Sequence, residues 1–211
     1  MHIPDGFLAA NTFLPAWVIS AGSIGYCIRK TTRTLKDRMV PLMGITAAFV
    51  FAAQMLNFPV MGGTSGHLLG GTLAAVLLGP YAGAIVIAVV LIVQCLIFQD
   101  GGLTTLGANI FNMSLIGTTG SYLVYYAIKK ISGNKLILPA TAVAAWLSVI
   151  VAASACAVEL AISGTSPLKV ALPAMAGVHA FIGIGEAVIT VFVISFVLKV
   201  RPDLIYKAPE K

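Results

Sequence analysis

Long apolar stretches alternate with short polar segments along this chain. The stretches cover residues 12–28, 39–58, 67–79, 80–98, 105–128, 136–161 and 170–198. A membrane-spanning helix needs about 20 predominantly apolar residues, because the hydrocarbon core of a bilayer is about 30 Å thick. The stretch 67–79, HLLGGTLAAVLLG, is shorter and predicts either a re-entrant segment or a short, tightly packed span. The pattern therefore predicts an all-α, polytopic membrane protein.

The distribution of basic residues decides between six and seven spans. With seven spans and the N-terminus outside, 12 of the 13 Lys and Arg residues lie on the cytoplasmic side and only Lys169 lies outside. With six spans, the loop at 129–135 and the tail from 199 change sides, which leaves 6 basic residues inside and 7 outside. Because cytoplasmic loops carry an excess of Lys and Arg, we predict seven transmembrane helices, with Met1 outside and Lys211 in the cytoplasm.

Composition excludes a soluble fold. The chain has 211 residues, of which 59% are apolar and 9% are charged, whereas an ordinary globular domain is about 25% charged. The net charge of +6 is spread over the predicted cytoplasmic loops, so we expect contact with a lipid bilayer and no nucleic-acid partner. The whole chain predicts a single transmembrane domain, with an N-terminal tail at 1–11, a helix bundle at 12–198 and a basic cytoplasmic tail at 199–211.

Pairs of small residues within the apolar stretches predict close helix packing, because they allow two backbones to approach. These pairs are Gly22 and Gly25, Ala48 and Ala52, Gly70 and Gly71, and Gly183 and Gly185.

Candidate chemistry is concentrated on the predicted outer side. The N-terminal MHIPDGFLAAN and the loop PVMGGTSGHLLGG each contain one of the three histidines. No basic segment precedes the first apolar stretch, so we expect no secretory signal and retention of Met1. The Met1 amine, the deprotonated His2 amide and His2 Nδ1 can then close two chelate rings and place three nitrogens in a plane. Such donors suit square-planar Ni(II) or Cu(II), and His67 would supply a fourth nitrogen.

Each histidine also has a simpler interpretation. A histidine at position 2 is commonly an exposed side chain without a function, and His67 could cap a helix or lie at the membrane interface. Their predicted location on the same membrane face favours the metal site. Asp5, with Pro4, is expected to fold the tail back over the bundle and to support the site. Ser65, Asn109 and Asn112 are the other polar residues that we place in or around this pocket.

Ionisable residues inside a membrane are costly and indicate function by default. His179 and Glu186 lie seven residues apart in the last predicted span, and Glu159 lies near the outer end of the sixth. The first two could form a proton relay or support the metal pocket. Alternatively, a neutral Glu186 could be hydrogen-bonded to Asn109 or Asn112.

Motifs for energy conversion and hydrolysis are missing from the sequence. It contains no GxxxxGK[ST] phosphate loop, no GxSxG and no HExxH, so we expect neither an enzyme nor an ATPase. A membrane protein that binds a cation without its own energy source would depend on a partner. Two alternatives stay open: a secondary transporter in which His179 and Glu186 carry a proton, and a scaffold that transports nothing.

Four segments of the chain resemble the CbiM/NikM family, the substrate-binding S components of energy-coupling factor (ECF) transporters for nickel and cobalt. They are MHIPDGFL, GTSGHLLGG, GANIFNMSLIG and GVHAFIGIGEAVIT. The resemblance implies seven helices, with the N-terminal tail inserted into the bundle. It also implies a square-planar ion held by the Met1 amine, the His2 amide and imidazole nitrogens, and His67.

The resemblance further implies a transport assembly in the cell membrane of a prokaryote. Its partners would be a transmembrane coupling protein, two cytoplasmic ATPase subunits and small accessory membrane proteins. The S component would topple in the bilayer to carry the ion inward, and Ala48 and Ala52 would serve either for docking or for internal packing. The ion is a substrate, Ni(II) or Co(II), with nickel favoured by the all-nitrogen donor set, and no organic cofactor is expected.

Overall fold

The computed structural model describes residues 1–35, 37, 39–133 and 135–208. Three of the basic residues used to predict the topology, Lys36, Arg38 and Lys211, lie outside the described residues. The helices are α1 (Ala10–Thr32), α2 (Met39–Gln54), α3 (Gly71–Phe98), α4 (Leu106–Asn109), a π-helical segment (Ile110–Gly120), α5 (Ser121–Ile131), α6 (Ile137–Ile162) and α7 (Leu168–Val200). A 3-10 turn at Pro202–Leu204 follows α7, and the antiparallel pair β1 (Phe58–Pro59) and β2 (Ser65–Gly66) lies between α2 and α3.

The helices have the length and composition of a membrane protein. Helices α6 and α7 are each long and apolar enough to cross a bilayer, α3 is so by total length and composition, and α2 is a shorter apolar helix. Large apolar side chains also point outward, including Phe181 and Phe192 of α7, which are 78% and 75% exposed. Because such surfaces are stable against lipid but not against water, the prediction of a helical membrane protein is confirmed.

Helix α3 is folded back at Gly79–Pro80. Gly79 has φ 83° and ψ 167°, which is not helical and is accessible to glycine because it has no Cβ. A Cβ at Gly83 would lie 3.0 Å from the carbonyl atoms of Ala74, although nine residues of straight helix would separate these positions by about 13 Å. The two arms of α3 therefore lie side by side, and the break coincides with the predicted boundary between the stretches 67–79 and 80–98.

Only some of the small residues that were predicted to pack closely do so. Gly70 lies against Val50, Gly71 lies against the backbone of Gly117, and Gly183 lies against Trp146. For Gly22, Gly25 and Gly185 the prediction was wrong, because a Cβ there would have no described atom within 4 Å. Ala48 and Ala52 are exposed, so they do not serve internal packing in this chain. Spacing alone does not indicate which helix face is turned inward.

The N-terminal tail is part of the hydrophobic core. Met1 and Ile3 are completely buried, and they join a cluster with Val50 of α2 and with Val149 and Cys156 of α6. The backbone segment that begins the chain is consequently held inside the bundle, where its polar groups need partners.

Candidate metal centre

Ile3 fixes the tail through its backbone. The Ile3 N–H donates to Asn109 Oδ1 at 2.8 Å, and the Ile3 carbonyl accepts from the Gly102 N–H at 2.9 Å and from Asn109 Nδ2 at 3.2 Å. The Thr105 hydroxyl donates to the same carbonyl. Because buried backbone groups are costly without partners, these bonds determine how far the chain enters the bundle. Asn109, one of the predicted pocket residues, thus positions the tail.

Asp5 holds the turn that follows. Its carboxylate accepts from the Leu103 N–H at 3.1 Å and from the Thr104 N–H at 2.8 Å, and the Thr104 hydroxyl donates to it as well. The hydrogen bond from the Thr104 side chain, supported by the two backbone bonds, lowers the pKa of Asp5 below its usual value. Asp5 is therefore ionised at neutral pH and ties the tail to the segment between α3 and α4.

The amine and the first amide of the chain converge on Ser65. Ser65 Oγ accepts from the Met1 amine at 2.8 Å and from the His2 N–H at 3.1 Å, and the Ser65 carbonyl also accepts from the amine. Strand β2 carries Ser65 to this position, two residues before His67. The first two backbone nitrogens consequently point to the same side, towards the loop that contains the second histidine.

The imidazole ring of His2 stacks on that of His67. The ring centroids are 4.5 Å apart, and the planes are inclined by 28°. His2 Nε2 lies 3.0 Å from Gln94 Oε1, while His2 Nδ1 lies 3.4 Å from Asp100 Oδ1, within ion-pair distance but with no hydrogen bond to any described residue.

His67 presents a free lone pair to the same space. Its Nδ1 lies 2.7 Å from the Leu68 carbonyl oxygen, and since a carbonyl only accepts, Nδ1 carries the proton. Nε2 is then an acceptor, and it is buried with no partner in the described part of the chain. A buried polar atom left unpaired costs about 1–3 kcal/mol, and a metal ion would satisfy it.

Burial removes protons from the donor groups. It lowers the pKa of the Met1 amine to about 5 and that of His2 to about 3, because the charged forms lose their hydration. At neutral pH the amine and the His2 ring are therefore neutral. A cation can bind their lone pairs without displacing a proton from either group, and only the His2 amide must lose one.

The residues present fit an all-nitrogen site. In the described residues, no group of three His, Cys, Asp or Glu side chains is arranged to hold a metal ion. An ion at this place would need backbone nitrogens in addition to imidazoles, as in the predicted chelate. The available atoms are the Met1 amine, the His2 amide, His2 Nδ1 and His67 Nε2.

His179 borders the same pocket from α7. It is fully buried, and its Nδ1 lies 2.7 Å from the Met175 carbonyl, so its Nε2 is the acceptor nitrogen. It interacts electrostatically with the Met1 amine and with His67. The structure thus places His179 beside the chelate atoms.

Glu186 belongs to α7, and its side chain contacts the two residues that precede α3. Its two carboxylate oxygens accept the Leu69 and Gly70 N–H groups, each at 2.8 Å. It is not paired with Asn109 or Asn112, so the alternative of a neutral Glu186 bonded to one of these residues was wrong: Asn109 is held by Ile3, and Asn112 donates to Glu159 at 2.6 Å. Hydrogen bonds to a carboxylate are stronger than those to a neutral amide, and the Leu69 and Gly70 N–H groups just before α3 donate two of them to Glu186.

Sequence reasoning missed Gln94 and Thr105. Gln94 stands alone in the apolar stretch LIVQCLIF, is fully buried and contacts His2. A single amide within an apolar helix was the available signal, because such a group needs an internal partner. Thr105 carried no comparable signal, since it stands at the polar edge of the stretch 105–128.

Comparisons with known proteins agree with the sequence resemblance. The family model CbiM, "Cobalt uptake substrate-specific transmembrane region", matches residues 2–204. The chain is 44% identical over 207 residues to "Putative fused nickel transport protein NikMN" of Archaeoglobus fulgidus, covering 97% of this chain and 68% of the other. It is 34% identical over 229 residues to "Fused nickel transport protein NikMN" of Rhodobacter capsulatus, covering 97% and 64%. The crystal structure of a truncated transition metal transporter matches with a TM-score of 0.89 and 35% identity, covering 94% of this chain and 99% of that one.

Proposed function

The chain belongs to the CbiM/NikM family of membrane components for cobalt and nickel transport, and we propose that it captures Ni(II) or Co(II) at its N-terminus. The ion is a transported substrate, and the relatives are transport proteins, not enzymes. One observation carries the proposal: the Met1 amine and the His2 amide converge on Ser65 Oγ, beside two stacked imidazoles with unpaired nitrogens.

The donor set selects the ion. Four nitrogens, one of them an ionised amide, form a strong in-plane field that suits square-planar Ni(II) or Cu(II), and the cobalt and nickel transport relatives favour Ni(II) or Co(II) as the substrate. Zn(II) prefers a tetrahedron, and Mg(II) and Ca(II) prefer oxygen ligands. We therefore propose a square-planar site made of the Met1 amine, the His2 amide, His2 Nδ1 and His67 Nε2, with nickel as the preferred substrate.

The surrounding residues support this geometry from outside the ligand plane. Asp5 and Asn109 fix the depth of the tail, and Ser65 aligns the two backbone nitrogens. His179 borders the site, whereas Glu186 shapes it indirectly by holding Leu69 and Gly70, two and three residues after His67. Asn112 is assigned a role one layer further out, through Glu159.

The proposed topology has seven spans, with Met1 outside and the C-terminus in the cytoplasm. The fold-back of α3 at Gly79 supports this number, because it turns one apolar helix into two passes. The remaining passes are α1, α2, the continuous rod from α4 to α5, α6 and α7. The archaeal and bacterial relatives support a place in the cell membrane of a prokaryote.

Energy for inward delivery is proposed to come from an ECF module. Its parts would be a transmembrane coupling protein, two cytoplasmic ATPase subunits and small accessory membrane proteins. Ala48 and Ala52 are small, exposed residues one helical turn apart on α2, and a coupling helix could approach closely there. Toppling of the whole bundle would then carry the loaded site inward.

A proton-driven secondary transporter is less well supported. It would need Glu186 to exchange protons, but both of its oxygens are occupied by the backbone N–H groups of Leu69 and Gly70, just before α3. Losing the negative charge would weaken both bonds and loosen the loop next to His67. The carboxylate is therefore better explained as a structural group.

The test is metal analysis of the purified full chain in detergent. We expect one tightly held Ni(II) or Co(II) per chain, and the yellow-orange absorption of planar Ni(II). A preference for Zn(II), or the pale green of six-coordinate nickel, would contradict the proposal. Reconstituted liposomes separate the rival: uptake by the chain alone under a pH gradient, without ATPase partners, would favour the proton-driven mechanism.

A further inference from the structure

Gln94 is a buried amide with one specific contact. It lies in the second arm of α3, among apolar residues, and none of its surface is exposed. Its Oε1 is 3.0 Å from His2 Nε2. Burying an amide in an apolar environment is costly without a compensating hydrogen bond. The contact with His2 is therefore the interaction from which a function of Gln94 can be inferred.

The contact determines which ring nitrogen of His2 carries the proton. A neutral imidazole has one N–H and one acceptor nitrogen. Because the carbonyl oxygen of Gln94 only accepts, Nε2 must be the donor, and Nδ1 is left with its lone pair. Only Nδ1 can close a six-membered chelate ring with the His2 amide, since Nε2 lies on the far side of the ring.

Asp100 has the opposite effect on the same ring. Its Oδ1 is 3.4 Å from His2 Nδ1, and Asn57 Nδ2 holds its other oxygen at 3.0 Å. A carboxylate beside Nδ1 favours a proton on that nitrogen, which would block the chelate. The His2 ring thus lies between two acceptors that favour different tautomers.

We propose that Gln94 is a positioning residue that holds His2 in the Nε2–H tautomer, with Nδ1 open to the metal ion, against the influence of Asp100. The inference rests on the proposed function for its purpose. For His67 the corresponding acceptor is a backbone carbonyl, that of Leu68, and it keeps Nε2 free. Gln94 is the side-chain counterpart of that carbonyl, and it acts on the nitrogen that the first chelate requires.

Nitrogen NMR of the metal-free full chain tests the tautomer directly. Two-bond proton–nitrogen correlations of histidine-labelled protein, at a pH near 7.5, distinguish Nδ1–H from Nε2–H rings. We expect one Nε2–H ring, from His2, and two Nδ1–H rings, from His67 and His179, whose Nδ1 atoms face carbonyl oxygens. In Gln94→Met, which has the same length but no acceptor, the His2 signal should shift to the Nδ1–H form.

Two further variants separate tautomer control from packing. Gln94→Glu keeps an acceptor at the same distance and should restore the Nε2–H signal. Gln54→Met removes another fully buried glutamine, whose Nε2 donates to the Leu69 carbonyl, and it should leave the His2 tautomer unchanged. With nickel, Gln94→Met should bind roughly 10–100-fold more weakly and reach the same planar spectrum at saturation.

The outcomes are distinguishable. An Nδ1–H signal for His2 in the wild-type chain, or an unchanged signal in Gln94→Met, overturns the assignment of Gln94. If the wild-type chain binds no nickel, the proposed function fails, while the NMR signals still decide the role of Gln94. If Gln94→Met does not fold, the wild-type spectrum still decides, because an Nδ1–H signal for His2 overturns the assignment and an Nε2–H signal is the result that it predicts.

Discussion

The imidazole rings of His2 and His67 lie face to face, with centroids 4.5 Å apart, although 64 residues separate them in the chain. This contact exists because the tail is threaded into the bundle far enough for Met1 to be completely buried. The chain terminus is therefore a component of the candidate site and not a flexible end. Changes to the terminus should affect metal binding more strongly than their small size suggests.

The first prediction concerns the free amine. One extra residue before Met1, or acetylation of Met1, should abolish nickel binding, because the amine nitrogen would become an amide and would no longer fit against Ser65. Isothermal titration with Ni(II) measures the loss. A single residue added after Lys211 is the matched control and should have no effect. Full-strength binding by the N-terminally extended chain would show that the chelate model is wrong.

A second prediction compares two buried histidines. His67→Gln should weaken nickel binding by more than about 100-fold, since it removes a ligand, whereas losing an outer partner typically costs 10–100-fold. It should also change the absorption spectrum of any residual complex. His179→Gln serves as the comparison: it should lower the affinity less and leave the planar spectrum intact. If both variants give the same spectrum as the wild-type chain, His67 is not a ligand.

The apolar pattern predicted much of the fold, but not its irregular parts. The break at Gly79–Pro80 was visible in the sequence because a Gly-Pro pair interrupts an apolar run. The π-helical segment Ile110–Gly120 was not visible, since its extra turn width depends on packing against α3 and not on local preference. Helix existence follows from local sequence, whereas helix shape follows from neighbours.

For a related reason, only part of the candidate site could be predicted from the sequence. The chelate atoms could be predicted because they belong to consecutive residues, Met1 and His2, whose ring sizes follow from covalent geometry. The partners of Glu186 could not, because they are backbone N–H groups, which every residue except proline possesses. Gln94 lay in an apolar stretch that gives no indication of which distant residue it contacts.

A third prediction concerns the turn that holds the tail. The Thr104 hydroxyl is the main cause of the lowered pKa of Asp5. The ionised carboxylate therefore stabilises the docked tail fully at pH values above 3.8, the pKa of Asp5 in the unfolded chain. This contribution should disappear as the pH falls through the lowered pKa, below 3.8. Asp5→Asn should lose it at all pH values and bind nickel more weakly at pH 7. Amide hydrogen exchange of residues 1–8 measures the docking; equal protection in both proteins at pH 7 would contradict the prediction.

A fourth prediction tests the structural role of Glu186. Glu186→Leu leaves the Leu69 and Gly70 N–H groups buried without an acceptor, at a cost of about 1–3 kcal/mol each. Glu186→Gln keeps one acceptor oxygen, so its stability should lie between those of Glu186→Leu and the wild-type chain. Thermal unfolding in detergent should give this order of stability. A fully stable Glu186→Leu protein that has lost transport would instead support a role in proton transfer.

The last prediction uses two glycines in different surroundings. A Cβ at Gly71 would collide with the backbone carbonyl of Gly117, and a backbone carbonyl cannot move aside as a flexible side chain can. Gly71→Ala should therefore destabilise the bundle by about 1–3 kcal/mol, the usual cost of overpacking. At Gly22, no described atom lies within 4 Å of the added Cβ, so Gly22→Ala meets no such obstacle.

Gly22→Ala should also gain stability, because alanine in a helix interior is favoured over glycine by about 0.5–1 kcal/mol. The two variants make the same chemical change in the same protein, so their unfolding temperatures in one detergent can be compared directly. Opposite signs are expected. If both substitutions are neutral, Gly71 and Gly117 are not in backbone contact. The packing of α3 against the π-helical segment, next to the loop that contains His67, then needs another explanation.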